Sequence, residues 1–318
     1  MQLSDEQTHT DQALLQLGRR LQADGYHFTC VTPVTQARNN ARATAQRAAT
    51  LRDVFGWNRP FPASLLSADE VVQMRDAHVL DEQGDLLRSR VRWSILDDLL
   101  LVHSGYPTDA QDAVFFGPDS YRFAQVIRDH LQHNFQAVEH AVDIGCGAGI
   151  GALLIASAAR HAQVSAVDIN PVALRYTAIN AALAGLGNVT VAQSDILDGV
   201  TGNYDLIVAN PPYMIDTDER LYRHGGGALG AALSLRIVEQ SLSRLSVGGS
   251  LLLYTGVAIV EGKDALLEAV RLRLAGPKWQ WHYRELDPDV FGEQLEEPGY
   301  EKVERIAAVA LTVTRSAE

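Results

Sequence analysis

Apolar positions near the start of the chain recur every three or four residues. At this spacing Leu14, Leu17 and Leu21 share one face of a helix, so the pattern predicts helical structure over residues 12–52. Glycine, asparagine and proline between 56 and 60 predict the turn that ends it.

A different pattern follows this turn. Ser67 and Glu70 have the spacing of a capping box and predict the start of a further short helix. Between 86 and 102 two apolar runs flank Asp97 and Asp98, an arrangement that predicts a small β-hairpin. The first third of the chain is therefore expected to combine helices with a hairpin.

From about residue 137, short apolar runs alternate with helix-length segments. This alternation predicts an α/β fold with a doubly wound, mainly parallel sheet that is covered by helices on both faces. The predicted strands cover 141–144, 164–167, 189–191, 206–209, 251–254 and 307–313. We expect the joint at 107–118, which divides the chain into a smaller α+β domain, 1–110, and a larger α/β domain, 111–318.

Composition narrows the class of protein. The chain has 318 residues, of which 47% are hydrophobic and 21% charged, as is usual for a globular protein. A net charge of −12 disfavours bulk attraction to nucleic acid or to an anionic membrane. The first residues do not resemble a secretory leader, no apolar run is long enough to span a membrane, and the only cysteines are Cys30 and Cys146. We expect a cytoplasmic protein without disulfides or metal, since the ten histidines lack zinc-site spacing.

A glycine-rich turn follows the first predicted strand of the larger domain. It runs from Gly145 to Gly149, includes Cys146 and Gly147, and leads into an apolar helix. Glycines let a ligand approach the backbone, and the helix start offers N–H groups to it. Asp143 precedes the turn, where it can orient the loop or approach an ammonium group. The turn predicts a ligand site; the alternative is a tight connection that binds nothing.

Polar side chains lie at the ends of the next two predicted strands. Asp168 lies about 20 residues after the glycine turn, where an acidic residue can bind both hydroxyls of a ribose. Ser194 and Asp195 end the third strand, and Asp195 can accept a hydrogen bond from an adenine amino group. We expect these residues, with Ile169 and Asn170, to line an adenosine pocket.

Glycine spacing separates two kinds of adenosine ligand. A dinucleotide loop needs a third glycine three residues after the second, and Ile150 stands at that position. The G-x-G-x-G spacing instead resembles the first motif of class I methyltransferases. This resemblance implies a seven-stranded Rossmann-like sheet and S-adenosylmethionine as cofactor.

The fourth predicted strand ends in Asn210-Pro211-Pro212-Tyr213. Two prolines after an asparagine present rigid acceptors at the sheet edge where ligands of such folds bind. A planar nitrogen attacks a methyl sulfonium poorly until its N–H bonds are held, and the Asn210 side-chain oxygen and the Pro211 carbonyl can hold both. Tyr213 can stack on a flat target. We expect these four residues to be catalytic, with Asn210 also near the cofactor.

The motif resembles that of the amino-methyltransferases, which include the HemK-type N5-glutamine enzymes and the N6-adenine enzymes. The resemblance covers about residues 110–315, and a glycine-containing stretch at 222–238 is typical of the HemK type. Segment 115–120 differs from the arginine–proline signature that HemK-type enzymes carry at this place. The resemblance therefore implies methyl transfer to a protein glutamine amide or to an exocyclic nucleobase amine.

Arginines in the smaller domain suggest how an acceptor is chosen. At helical angles Arg38, Arg42 and Arg52 share a face, and no acidic residue lies between Asp24 and Asp53. Such a stripe can contact RNA phosphates or an acidic protein surface; a solvated helix face is the alternative. Two other functions stay open: a nucleic-acid-binding module without catalysis, and a methyltransferase that acts on a small-molecule nitrogen.

Overall fold

Helices and strands alternate along most of the chain in the computed structural model, which describes residues 5–134, 137–215, 220–226 and 228–317. The α-helices are α1 Asp5–Ala23, α2 Pro33–Asn40, α3 Leu51–Phe55, α4 Ala68–Asp76, α5 Pro118–His133, α6 Ile150–Ala158, α7 Pro171–Leu183, α8 Ala232–Arg244 and α9 Ala265–Arg273. The strands are β1 Leu80–Gln83, β2 Leu86–Ser89, β3 Val91–Leu96, β4 Leu99–Ser104, β5 His140–Ile144, β6 Gln163–Asp168, β7 Val189–Gln193, β8 Tyr204–Ala209, β9 Leu245–Val260, β10 Lys263–Asp264, β11 Trp279–Asp287 and β12 Arg305–Arg315.

One large sheet organises the second part of the chain. Its strand order is β11-β12-β9-β8-β5-β6-β7, and the two-residue β10 pairs with β9. Neighbours from β7 to β9 run parallel, whereas β12 pairs antiparallel with both β9 and β11. Helices α5, α6 and α7 share one hydrophobic cluster with the sheet, while α8 and α9 share the other. The predicted doubly wound, mainly parallel sheet of seven strands is confirmed.

Strand β11 was missing from the sequence prediction. Its inward side chains Trp279, Trp281 and Tyr283 are half-buried and alternate with exposed residues. This period of two is typical of a strand that is covered on one face only. The prediction relied on continuous apolar runs, which a strand at the sheet edge does not need.

Helices α1 to α4 and two hairpins form the first part of the chain. The hairpin of β3 and β4 is the predicted one, and Asp97 at its turn has a φ of 54°. Continuous helical structure over 12–52 was wrong, because α1 ends at Ala23 before a turn at Gly25 with φ of 67°. Helix α2 then starts anew behind Thr32, whose side chain caps it.

Both parts of the chain share a hydrophobic core. Leu14 of α1 and Trp93 of β3 are fully buried in the cluster that also contains Ile179 of α7. The boundary expected between 110 and 111 lies in the loop that joins β4 to α5, and the division into two domains stays a prediction. Among the helices of the described ranges, none is both long enough and apolar enough to cross a membrane.

Candidate active site

A cavity of about 520 Å³ opens at the carboxyl ends of β5, β6, β7 and β8. Parallel pairing places these ends side by side: Ile144 faces Ala209 on one neighbouring strand and Val167 on the other. The residues that follow the strands therefore line the cavity together, among them Gly145 and Asn210. Its volume is within the roughly 300–1,000 Å³ of small-molecule sites.

The glycine turn borders the cavity with bare backbone. Gly145, Gly147 and Gly149 have φ values of 67°, 54° and 86°, which L side chains rarely adopt. A Cβ on Gly145 or Gly147 would meet no atom within 4 Å, whereas one on Gly149 would lie 2.6 Å from Leu153. The first two glycines thus leave space for a ligand, and the third permits close packing of α6.

Two side chains of α7 hold this turn, and the sequence reasoning missed both. The Thr177 hydroxyl donates to the Gly147 carbonyl at 3.0 Å, and the Asn180 amide donates to the Ala148 carbonyl at 2.9 Å. Asn180 also bonds the backbone N–H and C=O of Val102 in β4. The signal available in the sequence was a pair of polar residues within the apolar α7, and both are fully buried in the structure.

Cys146 has a packing role within the turn. Its side chain is buried, and the Thr177 hydroxyl lies 3.4 Å from its sulfur. Burial raises the pKa of the Cys146 thiol well above its ordinary value. The thiol is therefore neutral and a weak nucleophile.

Asp168 lies at the end of β6, half-buried and facing the cavity. One carboxylate oxygen accepts the Gly147 N–H at 3.1 Å, and the other accepts the Asn170 N–H at 2.9 Å. Each carboxylate oxygen can accept more than one hydrogen bond, so both remain available to a ligand. Burial raises the pKa of the Asp168 carboxyl.

The other predicted adenosine contacts also line the cavity. Ile169 is an apolar side chain with 47% exposure. The buried Asn170 caps α7 and donates to the Asp112 carbonyl at 2.7 Å. The Ser194 hydroxyl donates to a carbonyl in the following turn, and the exposed Asp195 forms an ion pair with Arg236 at 2.9 Å. Three apolar neighbours that the sequence reasoning missed complete this side of the cavity: Ile196, Leu233 and Ile237.

Asp143 lies behind the glycine turn and is not among the described residues that line the cavity. Its carboxyl is fully buried and accepts the Ala152 N–H at 2.9 Å near the start of α6. Of its two predicted roles, this position supports orienting the loop and its helix. Burial raises the pKa of the Asp143 carboxyl to about 7.

This raised pKa predicts a pH-dependent stability. Below about pH 4 Asp143 is protonated in the folded and in the unfolded state. Between about pH 4 and 7 it stays protonated in the folded protein but loses its proton in the unfolded chain, so the unfolded chain binds fewer protons. The free energy of unfolding should therefore fall as pH rises through this window, by up to about 4 kcal/mol, and then level off. Denaturant titrations of the wild type and Asp143→Asn measure the difference. Parallel pH profiles of the two proteins would contradict the assignment.

Asn210 and Pro211 present acceptors to the cavity. Both line it directly after β8, and Asn210 is partly exposed. Within the part of the chain that the structure describes, neither the Asn210 side chain nor the Pro211 carbonyl has a hydrogen-bond partner. The two acceptors predicted from the sequence are therefore available to a ligand.

Tyr213 is the most firmly held residue of the motif. Its side chain is 9% exposed, and its hydroxyl donates to the carboxylate of Asp119. A Cβ on Gly256 would lie 2.3 Å from its ring, so only glycine fits there. Phe291 meets the ring edge-to-face with centroids 6.1 Å apart. The predicted stacking of Tyr213 on a target stays a prediction.

Glycines after the motif pack closely on its backbone. A Cβ on Gly225 would lie 2.1 Å from the carbonyl oxygen of Gly230, and one on Gly230 would lie 2.1 Å from that of Tyr213. The Gly225 N–H donates to the Met214 carbonyl at 2.9 Å. Close packing thus explains these two glycines; Gly227 lies outside the described residues.

The predicted arginine stripe does not lie on one helix. Arg38 belongs to α2, Arg42 follows it, and Arg52 belongs to α3. The shared face was wrong because the chain leaves the helix after Asn40. All three are exposed, none forms an ion pair with a described residue, and Arg52 lies over the Phe28 ring at 5.7 Å. Residues of α2 next to Arg38 line the cavity.

Comparisons with known proteins agree with this geometry. Residues 114–258 match the family model described as the methyltransferase small domain. The predicted resemblance to methyltransferases is confirmed. The release factor glutamine methyltransferase of Deinococcus radiodurans is 34% identical over 163 residues, which are 48% of this chain and 55% of that protein. The ribosomal protein uL3 glutamine methyltransferase of Bordetella pertussis is 37% identical over 142 residues, 41% of this chain and 46% of that protein.

The family match lies within the larger of the two predicted domains. The chain spans about half the length of these curated relatives. A solved methyltransferase structure from Pyrococcus furiosus is 20% identical, with a TM-score of 0.43 over 61% of this chain and 83% of that one. The family match supports S-adenosylmethionine as cofactor. Among the described residues no group of acidic, histidine and cysteine side chains has a metal-binding arrangement.

Proposed function

We propose that this chain transfers a methyl group from S-adenosylmethionine to the side-chain amide nitrogen of a protein glutamine. The observation that carries the proposal is the pair of acceptors at Asn210 and Pro211 beside the glycine turn, which have no hydrogen-bond partner among the described residues. Glutamine is the residue named for the similar enzymes of Deinococcus radiodurans and Bordetella pertussis. Both names refer to protein acceptors of the translation machinery, so the proposal includes a cytoplasmic location.

The cavity fits S-adenosylmethionine. Its backbone edge at Gly145 and Gly147 has no side-chain atoms in the way, and Asp168 would hold the ribose hydroxyls. The apolar side chains of Ile169 and Ile196 would pack on the adenine. When bound, the cofactor supplies an electrophilic methyl group on a sulfonium.

The chain's own part in the reaction is to hold the acceptor nitrogen. The Asn210 side-chain oxygen and the Pro211 carbonyl accept hydrogen bonds from its two N–H groups, which draws the nitrogen lone pair out of conjugation. The transfer would form an N–CH3 bond at the expense of the donor's S–CH3 bond and would give an N-methylated amide, S-adenosylhomocysteine and a proton. Positioning of this kind is a large source of rate enhancement.

The exposed arginines would contact the acceptor protein. Arg38 lies on α2, which borders the cavity, Arg42 follows α2, and Arg52 lies on α3. None of the three has a carboxylate partner among the described residues. Each would supply positive charge on a chain of net charge −12. An acidic surface on the acceptor protein would be attracted there by steering that salt screens.

A labelling experiment tests the proposal. The protein is incubated with methyl-tritiated S-adenosylmethionine and, separately, with purified release factor, ribosomal protein uL3 and bulk RNA. We expect label in protein, located on glutamine by mass spectrometry, and a KM for the protein acceptor that rises between about 50 and 300 mM salt. Label only in RNA would contradict the glutamine acceptor. Absence of label from all acceptors, with no cofactor bound, would contradict the activity itself.

A further inference from the structure

A buried carboxylate holds the turn that carries the two acceptors. We propose that Asp119 and Tyr213 are positioning residues: the Tyr213 hydroxyl, bonded to Asp119, fixes Asn210 and Pro211 in the orientation that receives the acceptor nitrogen. The inference rests on the proposed methyl transfer. It assigns to the Tyr213 hydroxyl a role distinct from stacking of its ring.

The Asp119 carboxylate accepts hydrogen bonds from two tyrosine hydroxyls. It is 4% exposed in the first turn of α5, where the helix dipole favours a carboxylate. One oxygen accepts the Tyr213 hydroxyl; the other accepts the Tyr254 hydroxyl at 2.8 Å and Arg122 at 3.0 Å. Arg122 also bonds Asp287 at 2.8 Å. The carboxylate is therefore fixed by α5, β9 and the end of β11 before it meets the motif.

Tyr213 connects the fixed Asp119 carboxylate to the two acceptor residues, Asn210 and Pro211. Pro211 and Pro212 lock their φ angles and have no N–H, so sheet hydrogen bonds cannot hold the turn at these two residues. The next side chain, Tyr213, is buried, and Gly256 leaves no space for its ring to shift towards β9. Burial and the Asp119 charge raise the pKa of the Tyr213 hydroxyl, which keeps it a donor. A hydrogen bond to a carboxylate is stronger than one between neutral groups.

Tyr254 differs from Tyr213 although it bonds the same carboxylate. It belongs to β9, whose backbone pairs with β8 on one side and β12 on the other. Loss of its hydroxyl would leave Arg122 on the same Asp119 oxygen. Loss of the Tyr213 hydroxyl would leave the second oxygen without its donor and remove the hydrogen bond between the turn and Asp119. Of the two tyrosines, Tyr213 is thus the one that links Asp119 to the acceptors.

Ligand binding tests the inference without any methyl acceptor. Sinefungin carries an amine where S-adenosylmethionine carries its methyl, so that amine should reach the Asn210 and Pro211 oxygens; S-adenosylhomocysteine has nothing there. Calorimetry gives the ratio of the two Kd values. We expect wild type to prefer sinefungin and Tyr213→Phe to lose about tenfold of this preference, with the Kd of S-adenosylhomocysteine within about twofold of wild type.

Two further variants separate positioning from general stability. Tyr283→Phe removes another tyrosine hydroxyl from a carboxylate, that of Asp264, 2.6 Å away and outside the cavity lining. It should lower the unfolding temperature about as much as Tyr213→Phe and keep the sinefungin preference. Tyr254→Phe should reduce the preference less than Tyr213→Phe does.

The outcomes distinguish the inference from the function on which it rests. If wild type binds neither ligand, the proposed methyl transfer is wrong. If wild type prefers sinefungin and Tyr213→Phe prefers it equally, the methyl-transfer proposal stands and the positioning role is wrong. Equal losses of preference in Tyr213→Phe and Tyr254→Phe would also overturn it, since Tyr254 bonds Asp119 and forms no hydrogen bond with the described residues of the turn itself.

Discussion

Replacing Asn210 with alanine is expected to lower kcat by roughly 100- to 1,000-fold while the Kd of S-adenosylhomocysteine changes little. The size of the effect is that of removing one group that is aligned with the reacting atoms in a preorganised site. The Asn210 side chain has no partner among the described residues, so its loss should leave the fold intact. Activity assays with a labelled methyl donor measure kcat, and calorimetry measures the Kd of S-adenosylhomocysteine.

A matched asparagine next to the opposite end of β8 provides the control. Asn203 precedes β8 at the opposite edge of the sheet and is exposed, so Asn203→Ala should retain wild-type turnover. Asn210→Asp keeps an acceptor oxygen and should retain more activity than Asn210→Ala. Normal methylation by Asn210→Ala would show that this side chain does not hold the acceptor.

Replacing Asp168 with alanine is expected to raise the Kd of the cofactor roughly 100-fold. Two ribose hydroxyls would lose a charged acceptor, and each such bond is worth about 1.5–3 kcal/mol, of which water recovers part in the free ligand. The Gly147 N–H would also lose the oxygen that holds it 3.1 Å away, which loosens the glycine turn. Isothermal calorimetry with S-adenosylhomocysteine gives the affinity directly.

Asp205 controls for the loss of backbone hydrogen bonds alone. Its carboxylate accepts the N–H groups of Glu139 and His140, both at 3.0 Å, at the edge of the sheet away from the cavity. Asp205→Ala should reduce stability and leave the cofactor Kd unchanged. An unchanged Kd in Asp168→Ala would remove the ribose assignment.

Apolar runs were sufficient to predict the sheet apart from its edge strand β11, and strand-end motifs predicted where the candidate site would lie. Strands β5, β6, β8 and β12 have their sequence signal in apolar residues that are mostly buried on both faces, and the edge strand β7 has its signal in a short apolar run that is half-buried. Parallel strands bring their carboxyl ends to one edge, so Gly145, Asp168 and Asn210 had to lie near one another once the strands were assigned. The physical reason is that burial of local apolar runs and the geometry of β-α-β units are encoded in short segments.

Tertiary structure alone decided how the motif is held. The Tyr213 hydroxyl bonds Asp119, and Asn180 joins the glycine turn to Val102 of β4. No local pattern specifies these partners, because each contact joins segments that meet only when α5, α7 and β9 have packed against the sheet. The same holds for Arg38 and Arg52: a sequence period predicted one face, but the end of α2 at Asn40 divided it. Residue type and local period thus determined which side chains are available for the proposed reaction, while long-range packing determined how those side chains are oriented.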